Sequence, residues 1–295
     1  MTNQEPAQRT DLTIVEKAAV LMEALPYVRK FRGSTFVVKY GGSCLEHPDA
    51  EMRSRVAGDV TFLSSVGIRV VVVHGGGKAI SRELTKRNVE PVFVDGLRVT
   101  DVETLAVVRD ILDGEVNRDV CERVESRHGL AEGLSGADVL RCVPMPGRKD
   151  LGYVGEITGV DKTLINAALD DGRVPVISCL ASAEDGQVYN TNADTAAAKV
   201  AVSLGARRLV YLSDVPGLLR DPEDGETLIS TLSVGEVDSL KESGVISKGM
   251  RPKVDSAVEA LADGVKRVHF VDGRLPHSLL LEIFTDEGIG TEIVH

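Results

Sequence analysis

Three short turns in this chain carry the residue types that phosphate chemistry needs. They are Lys39-Tyr40-Gly41-Gly42-Ser43, His74-Gly75-Gly76-Gly77-Lys78 and Ser213-Asp214-Val215-Pro216-Gly217-Leu218. Each follows a short apolar, β-branched run. Glycine at the end of such a run lets backbone N–H groups approach an anion, and a helix starting just after it adds the positive end of its dipole. A lysine beside each of the first two turns adds a full positive charge. One glycine pair alone says little, because loops use glycine freely. Two such turns with adjacent lysines point to the binding and transfer of phosphate.

The commoner phosphate and catalytic signatures are absent. A P-loop needs G-x-x-x-x-G-K-[ST], but Gly77-Lys78 is followed by Ala79 and Val72 fills the first glycine position. The dinucleotide pattern G-x-G-x-x-G/A, counted from Gly75, fails at Ile80. No protein-kinase signature and no G-x-S-x-G nucleophile elbow occurs. The six histidines form no metal-ligand cluster, and Cys44, Cys121, Cys142 and Cys179 form no C-x-x-C pair. A reducing, cytoplasmic setting and no metal held by the protein are the expectations.

The elements that must position these turns alternate. Strands are expected at Phe36–Tyr40, Arg69–His74, Val139–Val143, Val174–Cys179, Arg208–Leu212 and Lys266–Val271. Helical periodicity falls between them, at Asp49–Ser65, Lys78–Arg87, Val102–Ser126, Lys162–Ala168, Thr195–Leu204 and Lys253–Asp263. Continuous apolar strands alternating with helices predict an α/β fold, a three-layer αβα sandwich around a mainly parallel sheet. Residues 147–160 and 184–191 read as hairpins or loops. Ahead of the first strand, Thr13 and Glu16 have capping-box spacing, and Leu12, Val15, Ala18, Ala19, Met22 and Leu25 share one side of a helix that Pro26 should kink or break. This divides the chain into a tail and extra helix (1–34), a first half (35–204) and a second half (205–295) that share one sheet.

With 295 residues the chain is long enough for about two domains. Its net charge of −11 and its 4% aromatic content weigh against nucleic acid and anionic membranes as partners. The N-terminal stretch carries acids early and lacks a long apolar core, so it is not expected to act as a signal peptide, and no apolar run nears the roughly 20 residues of a membrane span.

Seven segments together resemble the amino acid kinase family, over nearly all of residues 10–295. They are FVVKYGG (36–42), VVVHGGG (71–77), FVDGLRVTD (93–101), YNTNADTAAA (189–198), LVYLSDVPGLL (209–219), KGMRPKV (248–254) and HSLLLEIFTDEGIGTEI (277–293). GLRVTD and N-T-N-A-D are similar to the branch whose acceptor is N-acetyl-L-glutamate. The resemblance implies ATP-dependent phosphorylation of that side-chain carboxylate, in arginine biosynthesis, with Mg²⁺ carried mainly on the ATP phosphates. It implies that Lys39 and Lys253 neutralise the moving phosphoryl group and that Asp194 orients both lysines. Asp194 also reads as a helix N-cap. Gly41, Gly42, Gly75 and Gly76 would offer N–H groups, Arg98 would grip the substrate's α-carboxylate, and Asn190 and Asn192 would hold the N-acetylamino acid. The nucleotide would rest along Ser213, Asp214, Val215, Gly217 and Leu218 and near Ile246, Lys248, Gly249 and Met250. Lys248 stands where the family usually has glycine, and Lys78 where proline is common.

The family resemblance extends to regulation. Members with an extra N-terminal helix are arginine-inhibited homohexamers, trimers of dimers. The matching residues for an arginine site here are Tyr27, His277, Glu282 and Gly288, with Glu282 as the carboxylate for a guanidinium. A non-catalytic arginine sensor, and uridylate, carbamate and glutamate 5-kinases, are the alternatives.

Overall fold

The structure, a computed structural model, describes residues 13–45, 47, 49–221, 223–246 and 249–295. In chain order its strands are β1 (Thr35–Tyr40), β2 (Arg69–His74), β3 (Phe93–Val94), β4 (Leu97–Arg98), β5 (Ala131–Leu134), β6 (Leu140–Pro144), β7 (Gly155–Val160), β8 (Val174–Ser178), β9 (Leu180–Ser182), β10 (Val188–Asn190), β11 (Arg208–Ser213), β12 (Thr231–Ser233), β13 (Arg267–Asp272) and β14 (Thr291–Val294). Eight of them form one sheet in the order β12-β14-β13-β11-β1-β2-β8-β5. Every pairing in it is parallel except β13 with β14.

The central strands are apolar because both faces are covered. Phe36, Val37, Val38, Val71 and Val73 have no solvent exposure. Burying each such side chain stabilises the fold by about 1.5–3 kcal/mol. The helix Ala193–Ser203 lies against β1, β2 and β11 and against the helix Arg251–Ala262. Ala196, Ala197, Ala198 and Ala201 on it are buried, and their small side chains bring its backbone close to the sheet. This close approach carries the first turn of the helix to the carboxyl ends of the strands.

Four sequence expectations change. The segment expected at Val139–Val143 is β6, and it lies outside the main sheet. It joins β7, β9 and β10 in a four-stranded sheet that absorbs the excursions expected at 147–160 and 184–191. The strand that occupies the main sheet's edge instead is β5, whose Ala-Glu-Gly-Leu sequence has too little apolar patterning to stand out. The helix expected at Val102–Ser126 is interrupted by a π-helical stretch, Asp110–Val116, between Val102–Arg109 and Asn117–Ser126. The N-terminal helix, Ile14–Phe31, has the capping box at Thr13 and Glu16 and runs through Pro26 without breaking, because the lost N–H removes only one bond of the ladder. Its first turns project from the body: Ile14 is 87% and Val15 78% exposed, while Phe31 is buried.

The four-residue helix Gly136–Val139 presses on the bend between β8 and β9. An ideal Cβ on Gly136 would lie 2.1 Å from the Ser178 carbonyl oxygen and 2.2 Å from that of Leu180. Gly136→Ala is expected to cost about 1–3 kcal/mol through overpacking. Urea unfolding reads this directly, and an unchanged midpoint would mean that the bend yields freely.

Candidate active site

The Gly41-Gly42 turn leaves β1 between two neighbours. On one side Tyr40 pairs in register with His74 of β2, and an ideal Cβ on Gly42 would come within 3.9 Å of the Gly77 nitrogen. On the other side Tyr40 pairs with Leu212 of β11, and a Cβ on Gly41 would lie 2.9 Å from the Leu212 carbonyl and 3.2 Å from Lys39 Nζ. Any side chain at Gly41 would therefore fill the space in front of the lysine. All three turns of the sequence reading meet along the carboxyl ends of three adjacent strands, where open α/β sheets gather ligands.

Asp194 ties the elements together here. Lys39 Nζ lies 2.8 Å from its Oδ1 and Lys253 Nζ 2.5 Å from its Oδ2. Lys253 stands near the start of the helix Arg251–Ala262, so one carboxylate joins β1 to two helices. Burial pushes the Asp194 carboxyl up, but the two ammonium groups outweigh this and hold it below its ordinary value. Burial and the neighbouring Lys39 charge push Lys253 down, against the pull of Asp194 and, more weakly, Asp214. Two cations on one carboxylate leave a net positive charge in a half-closed, largely desolvated place. The N-cap expected at Asp194 falls instead on Asn192, whose Oδ1 accepts from the Asp194 and Thr195 amides at 2.8 and 3.1 Å. Both side chains can cap, and with Asn192 in the cap the Asp194 carboxylate is left for the lysines.

Beside this cluster is a cavity of about 160 Å³, lined by residues that include Gly75, Gly76, Arg98, Asn190, Asn192 and Thr191. Arg98 is held as a rigid wall. Its Nη2 donates to the Gly77 carbonyl at 2.9 Å and to Ser81 Oγ at 2.8 Å, and the guanidinium stacks 4.6 Å from the Phe93 ring centre. Its Nη1 is buried with no hydrogen-bond partner among the described residues. Such an orphaned donor suits a carboxylate ligand. Asn190 Nδ2 donates to Thr100 Oγ1 at 3.2 Å.

The second-half residues are less alike. Ser213 ends β11, Asp214 is exposed and Val215 is half-buried. Gly217 packs its Cα side on Thr291, and Leu218 donates its amide to Thr291 Oγ1 at 2.8 Å. The Leu218 and Ile246 side chains are core residues. Gly249 is exposed and Met250 half-buried at the start of the Lys253 helix. Lys248 lies outside the described residues.

A further cavity, about 140 Å³, is lined by Tyr27, Glu282 and Gly288 together with Arg208, Arg267 and His269. Tyr27 Oη donates to Asp286 at 2.6 Å. Glu282 Oε1 accepts from His269 Nδ1 at 2.6 Å, and Oε2 accepts from the Ile289 and Gly290 amides at 2.8 and 2.9 Å. Burial raises the Glu282 carboxyl, but these donors outweigh it and hold it below the usual value. His277, expected in this group, is not in its lining. It turns with a left-handed φ of 56° and places Nδ1 2.7 Å from Asp59 on the helix Ala50–Ser65. The histidine in the cavity is His269, which the sequence reading missed. The available signal was a polar residue within an otherwise apolar strand.

An open parallel sheet with glycine turns, two lysines on one carboxylate and an adjoining anion-suited cavity defines a small-molecule kinase architecture. The family model described as the amino acid kinase family matches residues 34–272, and the chain belongs to that family. Its likeness within the family is to acetylglutamate kinases. It is 46% identical over 278 residues to the acetylglutamate kinase of Brachyspira hyodysenteriae, covering 94% of this chain and 96% of that one. It is 48% identical over 281 residues to that of Thermosynechococcus vestitus, covering 95% and 94%. Among solved structures it is similar to the N-acetylglutamate synthase of Neisseria gonorrhoeae. The complex with coenzyme A and N-acetyl-glutamate gives a TM-score of 0.83 at 34% identity, covering 96% of this chain and 64% of that chain. The complex with coenzyme A and L-arginine gives 0.79 at 33%, covering 96% and 66%.

A carboxylate with a depressed pKa stabilises the fold fully above its unfolded value, 3.8 for Asp194, and loses that contribution as pH falls through the folded value. The urea midpoint of Asp194→Asn should therefore fall below wild type most at neutral pH, with the gap narrowing on acidification below 3.8. A gap independent of pH would mean that the Lys39–Asp194–Lys253 cluster contributes nothing through charge.

Proposed function

We propose that this chain transfers the γ-phosphoryl group of ATP to the side-chain carboxylate of N-acetyl-L-glutamate, giving N-acetyl-L-glutamyl 5-phosphate and ADP in arginine biosynthesis. The observation that carries this reading is the pair of lysines on Asp194, set between the glycine turns and the Arg98 cavity. A carboxylate oxygen attacks the γ-phosphorus and the bond to the β–γ bridging oxygen breaks, so two anions must be brought into line. Lys39 and Lys253 answer the charge on the moving group, while Asp194 holds both ammoniums in place. Gly41, Gly42, Gly75 and Gly76 present N–H groups, and Arg98 Nη1 binds the α-carboxylate with Asn190 and Asn192 beside the N-acetyl group. The halves meet at residue 205, residues 35–204 holding the acceptor and 205–295 the nucleotide. The adenosine end rests over Ser213–Leu218 and the segment around Ile246–Met250. Among the described residues no group of three or more His, Cys, Asp or Glu side chains gathers into a cation cage. We infer that the Mg²⁺ this chemistry uses arrives mainly on the ATP phosphates. No helix of the described residues is long and apolar enough to cross a membrane. The widely spaced cysteines, with no C-x-x-C pair, support a reducing, cytoplasmic setting.

An ADP-release assay with N-acetylglutamate, glutamate, aspartate and UMP tests the reaction. Turnover is expected with N-acetylglutamate, falling about 10²–10³-fold in Lys39→Ala and Lys253→Ala with the fold retained. Faster turnover of another acceptor would overturn the substrate, and near-normal kcat in either variant would overturn the lysine roles.

We further infer feedback by L-arginine in a hexamer. The support is the Glu282 cavity, which opens beside Tyr27 near the end of the N-terminal helix, and the apolar first turns of that helix, which are exposed among the described residues. Glu282 would face the ligand's guanidinium. Arg208, within the same lining, suits its carboxylate. Deleting residues 1–30 should give active dimers with much weaker arginine inhibition. A full-length chain that sediments as a dimer and ignores arginine would sink the idea.

A further inference from the structure

A buried polar relay sits directly behind the second glycine turn. His74, the last residue of β2, has no solvent exposure. Its Nδ1 lies 3.0 Å from the Gly75 carbonyl oxygen and its Nε2 3.1 Å from Asn117 Nδ2. The orientation of Asn117 is dictated by its surroundings. The same nitrogen faces the carbonyl oxygens of Val176 at 2.8 Å and Leu134 at 3.5 Å, which can only accept. That end of the amide must be the donor. His74 Nε2 therefore accepts, its proton sits on Nδ1, and Nδ1–H donates to the Gly75 oxygen. Burial pushes the His74 pKa down to about 4, so the ring is neutral at ordinary pH.

Other residues keep Asn117 in place. It follows the π-helical stretch Asp110–Val116, whose wider turn places Asp113 against Ser178 Oγ at 2.6 Å and Ser135 Oγ at 2.8 Å. On the opposite side, an ideal Cβ on Gly133 would fall 2.4 Å from Asn117 Oδ1, so β5 uses glycine there to admit the amide. Within a trans peptide the C=O and N–H point in opposite directions. Pinning the Gly75 oxygen toward the sheet thus turns the N–H of the same peptide, which belongs to Gly76, the other way. Gly76 lines the Arg98 cavity. Among the described residues, no backbone or side-chain acceptor receives its N–H.

We propose that His74, locked in one tautomer by Asn117, is a positioning residue that aims the Gly76 N–H at the carboxylate or phosphoryl oxygens of the reaction. This rests on the kinase reading given above. His74 touches no substrate; its effect passes through the Gly75–Gly76 peptide.

Two substitutions separate its two bonds. His74→Asn can keep a donor near the place of Nδ1, so it can still hold the Gly75 carbonyl. His74→Gln puts its amide near the place of Nε2, where it answers Asn117 but leaves Gly75 free. His74→Leu removes both. Expected kcat with N-acetylglutamate falls about 10²-fold in His74→Leu and His74→Gln, the scale of losing one preorganised donor, and is largely recovered in His74→Asn, with KM for ATP unchanged in all three. Asn117→Leu, which frees the tautomer, should resemble His74→Gln. If His74→Leu does not fold, the Asn and Gln variants decide alone. Equal kcat in those two, whether both normal or both low, would reduce His74 to a packing role and overturn the proposal. Failure of the wild-type chain to phosphorylate N-acetylglutamate would instead overturn the reaction assigned to the site.

Discussion

One buried carboxylate organises the functional end of this molecule. Asp194 faces Lys39 from the central strand and Lys253 from a helix of the second half. Neither lysine could be held so close to the other in a desolvated place without it. Like charges at such range repel, and burial alone disfavours each ammonium. With one carboxylate between them the cluster keeps a single net positive charge, which an incoming phosphate can satisfy. The cap at Asn192 matters for the same reason: it satisfies the helix N-terminus and leaves both Asp194 oxygens for the lysines.

Around that cluster glycine stands where a side chain has no room. Gly41 abuts the Leu212 carbonyl and Lys39, and Gly76 abuts Leu112 and Val116. A Cβ at either place would collide with neighbours before it met any ligand. Arg98 is treated in the opposite way. It is packed, stacked on Phe93 and bonded through Nη2, and its Nη1 is left buried without a partner among the described residues. Both devices prepare donors in advance, so the cost of organising them is met during folding.

Much of this was legible in the residues. Parallel strands buried on both faces show up as unbroken apolar runs, and the glycine turns expected after them do fall at their carboxyl ends, with Lys39, Gly41, Gly75 and Ser213 there. Features that depend on three-dimensional neighbours were not legible. The pairing of Lys39 and Lys253 with Asp194 joins distant parts of the chain, and only the family resemblance, not spacing, pointed to it. The π-helical stretch hides in a segment whose periodicity reads as one helix. β6 looked like a member of the main sheet because apolar patterning does not reveal which sheet a strand joins. The capping offset between Asn192 and Asp194 is decided by backbone angles, since both residue types can cap. The family resemblance groups His277 with Glu282 and Gly288, whereas the left-handed turn at His277 carries it to Asp59.

The eight-stranded sheet runs through both halves without a seam, and β1 and β11 stay in register over five consecutive positions from Phe36↔Arg208 to Tyr40↔Leu212. Rotating one half away as a rigid flap would break that ladder in the middle of the core. A change in sheet twist, spread over several strands, is the deformation that keeps this ladder intact. Lys39 lies on one of the two central strands of the sheet, whereas Arg98 lies on β4 outside it and Gly217 packs on Thr291 of β14. Torsion of this kind would leave the charged centre almost stationary while the walls on either side open and close around it.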